Sequence, residues 1–124
     1  TLLSHFAQVP SKETMILIEN GGGQLNPRPA PDTAFSQRSW KYDVLIISSW
    51  PDPAENVTNI AWTQGLWDAL QPFSTRAHYV NYIVDEGDEG VKNSYSVADY
   101  ERLVALKRNI DPTNVFRMNQ NIKP

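Results

Sequence analysis

The 124 residues contain no cysteine and only two histidines, His5 and His78. Without cysteine there is no disulfide, no thiolate nucleophile and no Cys-based zinc site. Two histidines do not make a histidine-rich metal centre, and none is expected. No apolar run approaches the roughly 20 residues that span a bilayer. No signal-peptide pattern opens the chain, so a soluble protein without a membrane partner is expected, its compartment left open. Basic clusters are missing too: the 11 Lys and Arg are scattered, and the formal net charge is −3. Phosphate recognition needs clustered positive charge, which argues against nucleic acid as a partner.

What is present is ordinary globular material, 40% hydrophobic and 20% charged. That balance buries a core rather than staying disordered, and the length suits one domain over residues 1–124. Thr1 to Ala7 reads as the end of a helix that began earlier. Thr14 to Glu19 is a continuously apolar strand, expected to be covered on both faces. Asn20 to Gly23 stops it. No Lys-Ser/Thr follows these glycines, so the phosphate-loop pattern fails and a turn is expected. Pro27, Pro29 and Pro31 put residues 24–42 in a loop. Asp43 to Trp50 is a second strand, rich in β-branched residues.

Asp52, Pro53 and Glu55 then open a helix with an acidic N-cap, Pro at N1 and Glu at N3. Val57, Ile60, Ala61 and Trp67 lie along one side of it, widened by Trp62, Leu66 and Leu70. Gly65 inside a helix costs about 1 kcal/mol relative to Ala, so close packing against a strand would account for it. Pro72 ends the helix. Ala77 to Val84 reads as a third strand, with Tyr79, Asn81 and Ile83 on one face and His78, Val80 and Tyr82 on the other. Asp85 to Gly90 lacks the ligand spacing of a calcium loop and is expected to be a solvated turn. These elements give an α+β fold, an antiparallel sheet with helices packed on one face.

The last helix is the clearest. Ser96 and Asp99 have capping-box spacing, and Asp99 and Glu101 lie in the first turn. Lys107 and Arg108 suit the carbonyl end of the dipole. Tyr100, Leu103, Val104 and Ile110 form the apolar face of a helix over residues 97–110. Pro112 forces a turn after it. Beyond that turn, Val115, Phe116 and Ile122 are interspersed with Asn114, Asn119, Gln120 and Asn121. Phe116 and Ile122 are expected to dock on the core, and the amides offer uncharged donors and acceptors.

Tyr79-x-Asn81-Tyr82, Tyr100 to Lys107, Asp111 to Arg117 and Asn119 to Ile122, in this order and spacing, resemble the C-terminal region of berberine bridge enzyme-like FAD-linked oxidoreductases. The similarity extends upstream through Asp32 to Phe35 and Ala61-Trp62. It implies FAD as cofactor and a substrate domain built on an antiparallel sheet. It also implies a flavin-binding domain as the partner of this region, without which the chain is not expected to turn over substrate. An alcohol, sugar or amine would be the small-molecule substrate.

Flavin oxidation of an alcohol needs a base for the hydroxyl proton while the cofactor takes the hydride. The resemblance points first to Tyr79 as that base, with Tyr82 as fallback and Asn81 beside Tyr79 as a cofactor contact. Asn119 and Asn121 would approach the flavin by the same analogy. Gln37 stands where the family more often has His, which removes position 37 from the expected site. Arg38 is expected to pair with an acidic loop, and His78 to be a strand-surface residue. A stand-alone binding module is the other reading, its exposed cleft face covered by a second copy in a homodimer. Sedimentation at high concentration decides that reading, which a clean monomer would sink.

Overall fold

The structure is a computed structural model and describes residues 1–22, 33–35, 38–84 and 86–124. Gly23, Pro27, Pro29, Pro31, Gln37 and Asp85, on which several expectations fall, lie outside the described residues. Among those described are two strands and four α-helices, an α+β fold as expected. They fall into two compact units, Thr1–Gly21 with Lys41–Thr75, and Gly22–Trp40 with Arg76–Pro124.

The first unit opens with α1 (Leu2–Phe6), followed by β1 (Met15–Asn20) and β2 (Tyr42–Ile47). The strands pair antiparallel, with Leu17 opposite Leu45 and Ile18 opposite Val44. Thr14 anchors the open end: the Ser49 amide donates to its Oγ1 at 3.3 Å. The expectation that β1 is covered on both faces does not hold, since Ile18 is 59% exposed and Met15 and Leu17 are exposed as well. A two-stranded ribbon has too few neighbours to cover both faces of its own strands.

A 3-10 turn, Pro53–Glu55, leads into α2 (Asn56–Leu70), and Asp52 caps it by accepting from the Ala54 amide at 2.9 Å. Pro72 lies in the 3-10 turn Gln71–Phe73 that closes the helix. The buried side of α2 differs from the apolar pattern. Val57 and Ile60 are exposed, whereas Asn59 and Leu66 are buried and Trp62, Thr63, Ala69 and Leu70 are half-buried. These positions recur at three- and four-residue steps, so the helical period is intact but polar residues share the inner stripe.

Their donors are bonded, although the Asn59 Oδ1 is buried without a partner. Thr63 Oγ1 donates to the Asn59 carbonyl at 2.8 Å and meets Ser48 Oγ at 2.5 Å, tying α2 to the end of β2. Trp62 Nε1 donates to the His5 carbonyl at 3.2 Å, tying α2 to α1. Gly65 has nothing within 4 Å of where a Cβ would stand, so close packing does not explain it.

In the second unit the expected third strand is absent. Arg76 adopts a φ of 60°, and residues 79–82 form a turn closed by the Tyr82 amide donating to the Tyr79 carbonyl at 2.8 Å. A Tyr- and Val-rich run becomes a strand only beside a partner strand, and Asn81 accepts a turn readily. The expected acidic turn is also replaced, by α3 (Gly87–Asn93). Asp88 and Glu89 lie in its first turn and Lys92 in its last, matching the dipole at both ends. Glycine is required at position 90, where a Cβ would collide with the Glu86 Cβ. Ile83 and Val91 form the buried apolar centre of this unit.

The last helix, α4 (Val97–Ile110), has the expected bounds. Ser96 Oγ accepts from the Asp99 amide at 3.1 Å and contacts Asp99 Oδ2 at 2.7 Å. Tyr100, Leu103 and Val104 are half-buried, while Ile110 is exposed. Ser96→Ala is expected to destabilise the protein by about 1 kcal/mol through loss of this cap, read as a lower thermal midpoint. An unchanged midpoint would mean that the cap contributes nothing here.

Candidate functional site

Because residues 79–82 turn rather than extend, Tyr79 and Tyr82 are not on opposite faces. Their rings meet edge to face at 4.9 Å, and Phe35 packs edge-on against Tyr79 at 5.8 Å. This geometry sets the positive edge of one ring against the negative face of another. Both tyrosines keep more than a third of their surface open to solvent. Arg38 lies with its guanidinium 5.2 Å from the centre of the Phe35 ring and donates to Thr33 Oγ1 at 2.8 Å. The cluster is thus an aromatic shelf with a cation at one end.

Asn81 Nδ2 donates to the Tyr79 phenol oxygen at 2.8 Å. The expected neighbourhood of Asn81 and Tyr79 is present, reached by a turn instead of a strand face. With its oxygen already accepting one bond, the phenol keeps its own O–H for a further acceptor. The His78 amide donates to the Asn93 carbonyl at 3.4 Å, which fixes the start of the turn against the end of α3. No cluster of metal-ligating side chains occurs among the described residues.

The C-terminal segment reaches this turn through Gln120, whose Nε2 donates to the Ile83 carbonyl at 2.6 Å. Lys123 Nζ contacts Asp88 Oδ2 at 2.6 Å, a second tie to α3. That hydrogen bond holds the Asp88 carboxyl below the ordinary carboxylate range. Asn119 has a φ of 56° and its carbonyl accepts from the Asn121 amide at 2.9 Å. The Oδ1 atoms of Asn114 and Asn121 are buried and have no hydrogen-bond partner. Asn121 therefore carries an unused acceptor in the segment that meets the turn.

Phe116 does not dock as expected. It is 81% exposed, with Val115 and Met118 exposed beside it, while Ile122 is half-buried. Polar contacts hold the stretch instead, centred on Asp111. Its carboxylate accepts from the Val115 amide at 2.8 Å and the Phe116 amide at 3.0 Å, and meets Lys107 Nζ at 2.5 Å. The Lys107 hydrogen bond holds the Asp111 carboxyl below its ordinary range, against a smaller opposing effect of burial. Gln120, Asp111 and Phe35 were not singled out as site residues from sequence. Glutamine at position 120 was visible as one amide among several, with no signal for its partner.

Residues 78–123 match the family described as Berberine and berberine like. The chain is 31% identical over 112 residues to the uncharacterized FAD-linked oxidoreductase YvdP of Bacillus subtilis, covering 90% of this chain and 25% of that protein. It is 29% identical over 146 residues to reticuline oxidase of Eschscholzia californica, covering 99% of this chain and 27% of that protein. Aclacinomycin-N/aclacinomycin-A oxidase of Streptomyces galilaeus is 27% identical over 141 residues, covering 100% of this chain and 26% of that protein. The chain spans about a quarter of the length of these curated relatives.

Proposed function

We propose that the chain forms the substrate- and flavin-contacting wall of an FAD-linked oxidoreductase, a reading supported by the match of residues 78–123 to the Berberine and berberine like family and by the relatives named above. Its substrate is an alcohol, sugar or amine. Catalysis needs a flavin-binding domain as partner, because the relatives are about four times as long and this chain supplies one side of the pocket.

The observation that carries this reading is the Gln120–Ile83 bond, which draws the amide-bearing tail to the turn of Tyr79 and Tyr82. The residues fit the group. A flavin ring presents uncharged N–H and carbonyl edges, and the unpaired Oδ1 of Asn121 is a neutral acceptor of matching type. Asn119, Asn121 and Asn81 would hold the ring edge and the residues beside it. The chemistry supplied by bound FAD is acceptance of the hydride that leaves the substrate carbon. To act as base Tyr79 must first give up its own O–H; the phenolate then takes the substrate hydroxyl proton, and Asn81, which donates to that oxygen, fixes where it points. Tyr82 is the fallback base, and its ring buttresses Tyr79.

The test is the absorption spectrum of the full-length protein. A yellow protein with flavin bands is expected, and Asn121→Ala should weaken flavin binding by about tenfold, the size of one lost hydrogen bond to a buried group. A colourless preparation that FAD cannot reconstitute would refute the oxidoreductase reading.

A further inference from the structure

The stretch from Val115 to Met118 is held without apolar burial. Val115, Phe116 and Met118 are all exposed. Position is set at one end by the Gln120–Ile83 bond and at the other by Asp111. Asp111 is buried, and each of its oxygens is used. Oδ1 accepts from the Val115 amide; Oδ2 accepts from the Phe116 amide and from Lys107. Lys107 Nζ also donates to the Phe116 carbonyl at 2.5 Å, so one cation bridges the carboxylate and the segment it holds. The Asn114 amide closes the turn onto the Asp111 carbonyl at 3.0 Å, with Asn114 at a φ of 55°. Hydrogen bonds to an ionised group are about twice as strong as neutral ones, and here they replace the missing hydrophobic anchor.

We propose that Asp111, braced by Lys107, is a positioning residue: it sets the path of residues 115–121 and thereby where Asn119 and Asn121 stand relative to the Tyr79–Tyr82 turn. The link to the cofactor rests on the function proposed above, whereas the clamp itself does not. Neither side chain touches substrate or flavin in this scheme. Each acts four or more residues away, through the backbone it holds.

Amide hydrogen exchange and flavin titration of the full-length protein test this together, in Asp111→Asn, Lys107→Met and Lys107→Arg. Lys107→Met keeps the two amide bonds to the carboxylate, so it remains informative if Asp111→Asn does not fold. Loss of one charge-assisted bond should speed exchange at Val115 and Phe116 by about tenfold, with α4 amides unchanged. Flavin affinity should fall by about the same factor, and Lys107→Arg should recover part of both. Unchanged tail exchange would overturn the clamp, as would α4 amides opening in step with the tail. Faster tail exchange with unaltered flavin affinity would overturn the link to the cofactor. A parent protein that binds no flavin fails the proposed function, yet tail exchange still decides the clamp.

Discussion

On the function proposed above, Tyr79→Phe is expected to lower turnover of the flavin-loaded protein by about 10²–10⁴-fold without releasing the flavin, the usual contribution of a positioned acid or base. The substitution removes one oxygen and keeps the ring. The edge-to-face contacts with Phe35 and Tyr82 persist, so the shelf keeps its shape. What is lost is the oxygen on which Asn81 donates, the proton acceptor of the proposed scheme. Tyr82→Phe should cost far less if Tyr79 is the base. The two variants therefore separate chemistry from packing, read as kcat with flavin content measured in the same sample. Full activity in Tyr79→Phe together with a large loss in Tyr82→Phe would transfer the role to the neighbour. Full activity in both would remove the turn from the catalytic step.

Leu66→Ala should destabilise the protein by about 2–5 kcal/mol, read from the denaturant midpoint. Leu66 is 0% exposed and is the buried hydrophobic residue of α2. The substitution loses the transfer free energy of the removed carbons and leaves a cavity that rigid neighbours fill only in part. Domain stabilities of about 5–15 kcal/mol make this a large fraction of the whole. Val57→Ala on the same helix is the control. Val57 belongs to the apolar side of the helical pattern, yet it is 81% exposed, and its loss should fall within about 0.5 kcal/mol. Equal effects at the two positions would mean that α2 packs on its other side.

The contrast between Leu66 and Val57 marks where reading along the chain succeeds and where it stops. Helix bounds were legible because they depend on local chemistry. Ser96, Asp52, Pro53 and Pro112 act on backbone groups within a few residues of themselves. The face of α2 was not, because Thr63 is tied inward by Ser48, which lies 15 residues away in sequence. Likewise Tyr79 to Val84 has the composition of a strand, but no third strand stands beside it among the described residues. α3 was hidden by its two glycines, although the acidic start and Lys92 at the end were both visible.

By itself, then, the order of residues determined the element types at well-capped segments, the lack of any thiol among these 124 residues, and the motif set shared with FAD-linked oxidoreductases. Each rests on neighbours in sequence or on residue identity. Tertiary structure alone decided that Tyr79 and Tyr82 share one aromatic cluster, that Gln120 meets Ile83, and that Asp111 holds the tail in place of Phe116. The physical reason is reach. A cap acts over one helical turn, whereas the bond from Gln120 to Ile83 joins positions 37 residues apart. Only the folded chain brings such groups within hydrogen-bond distance.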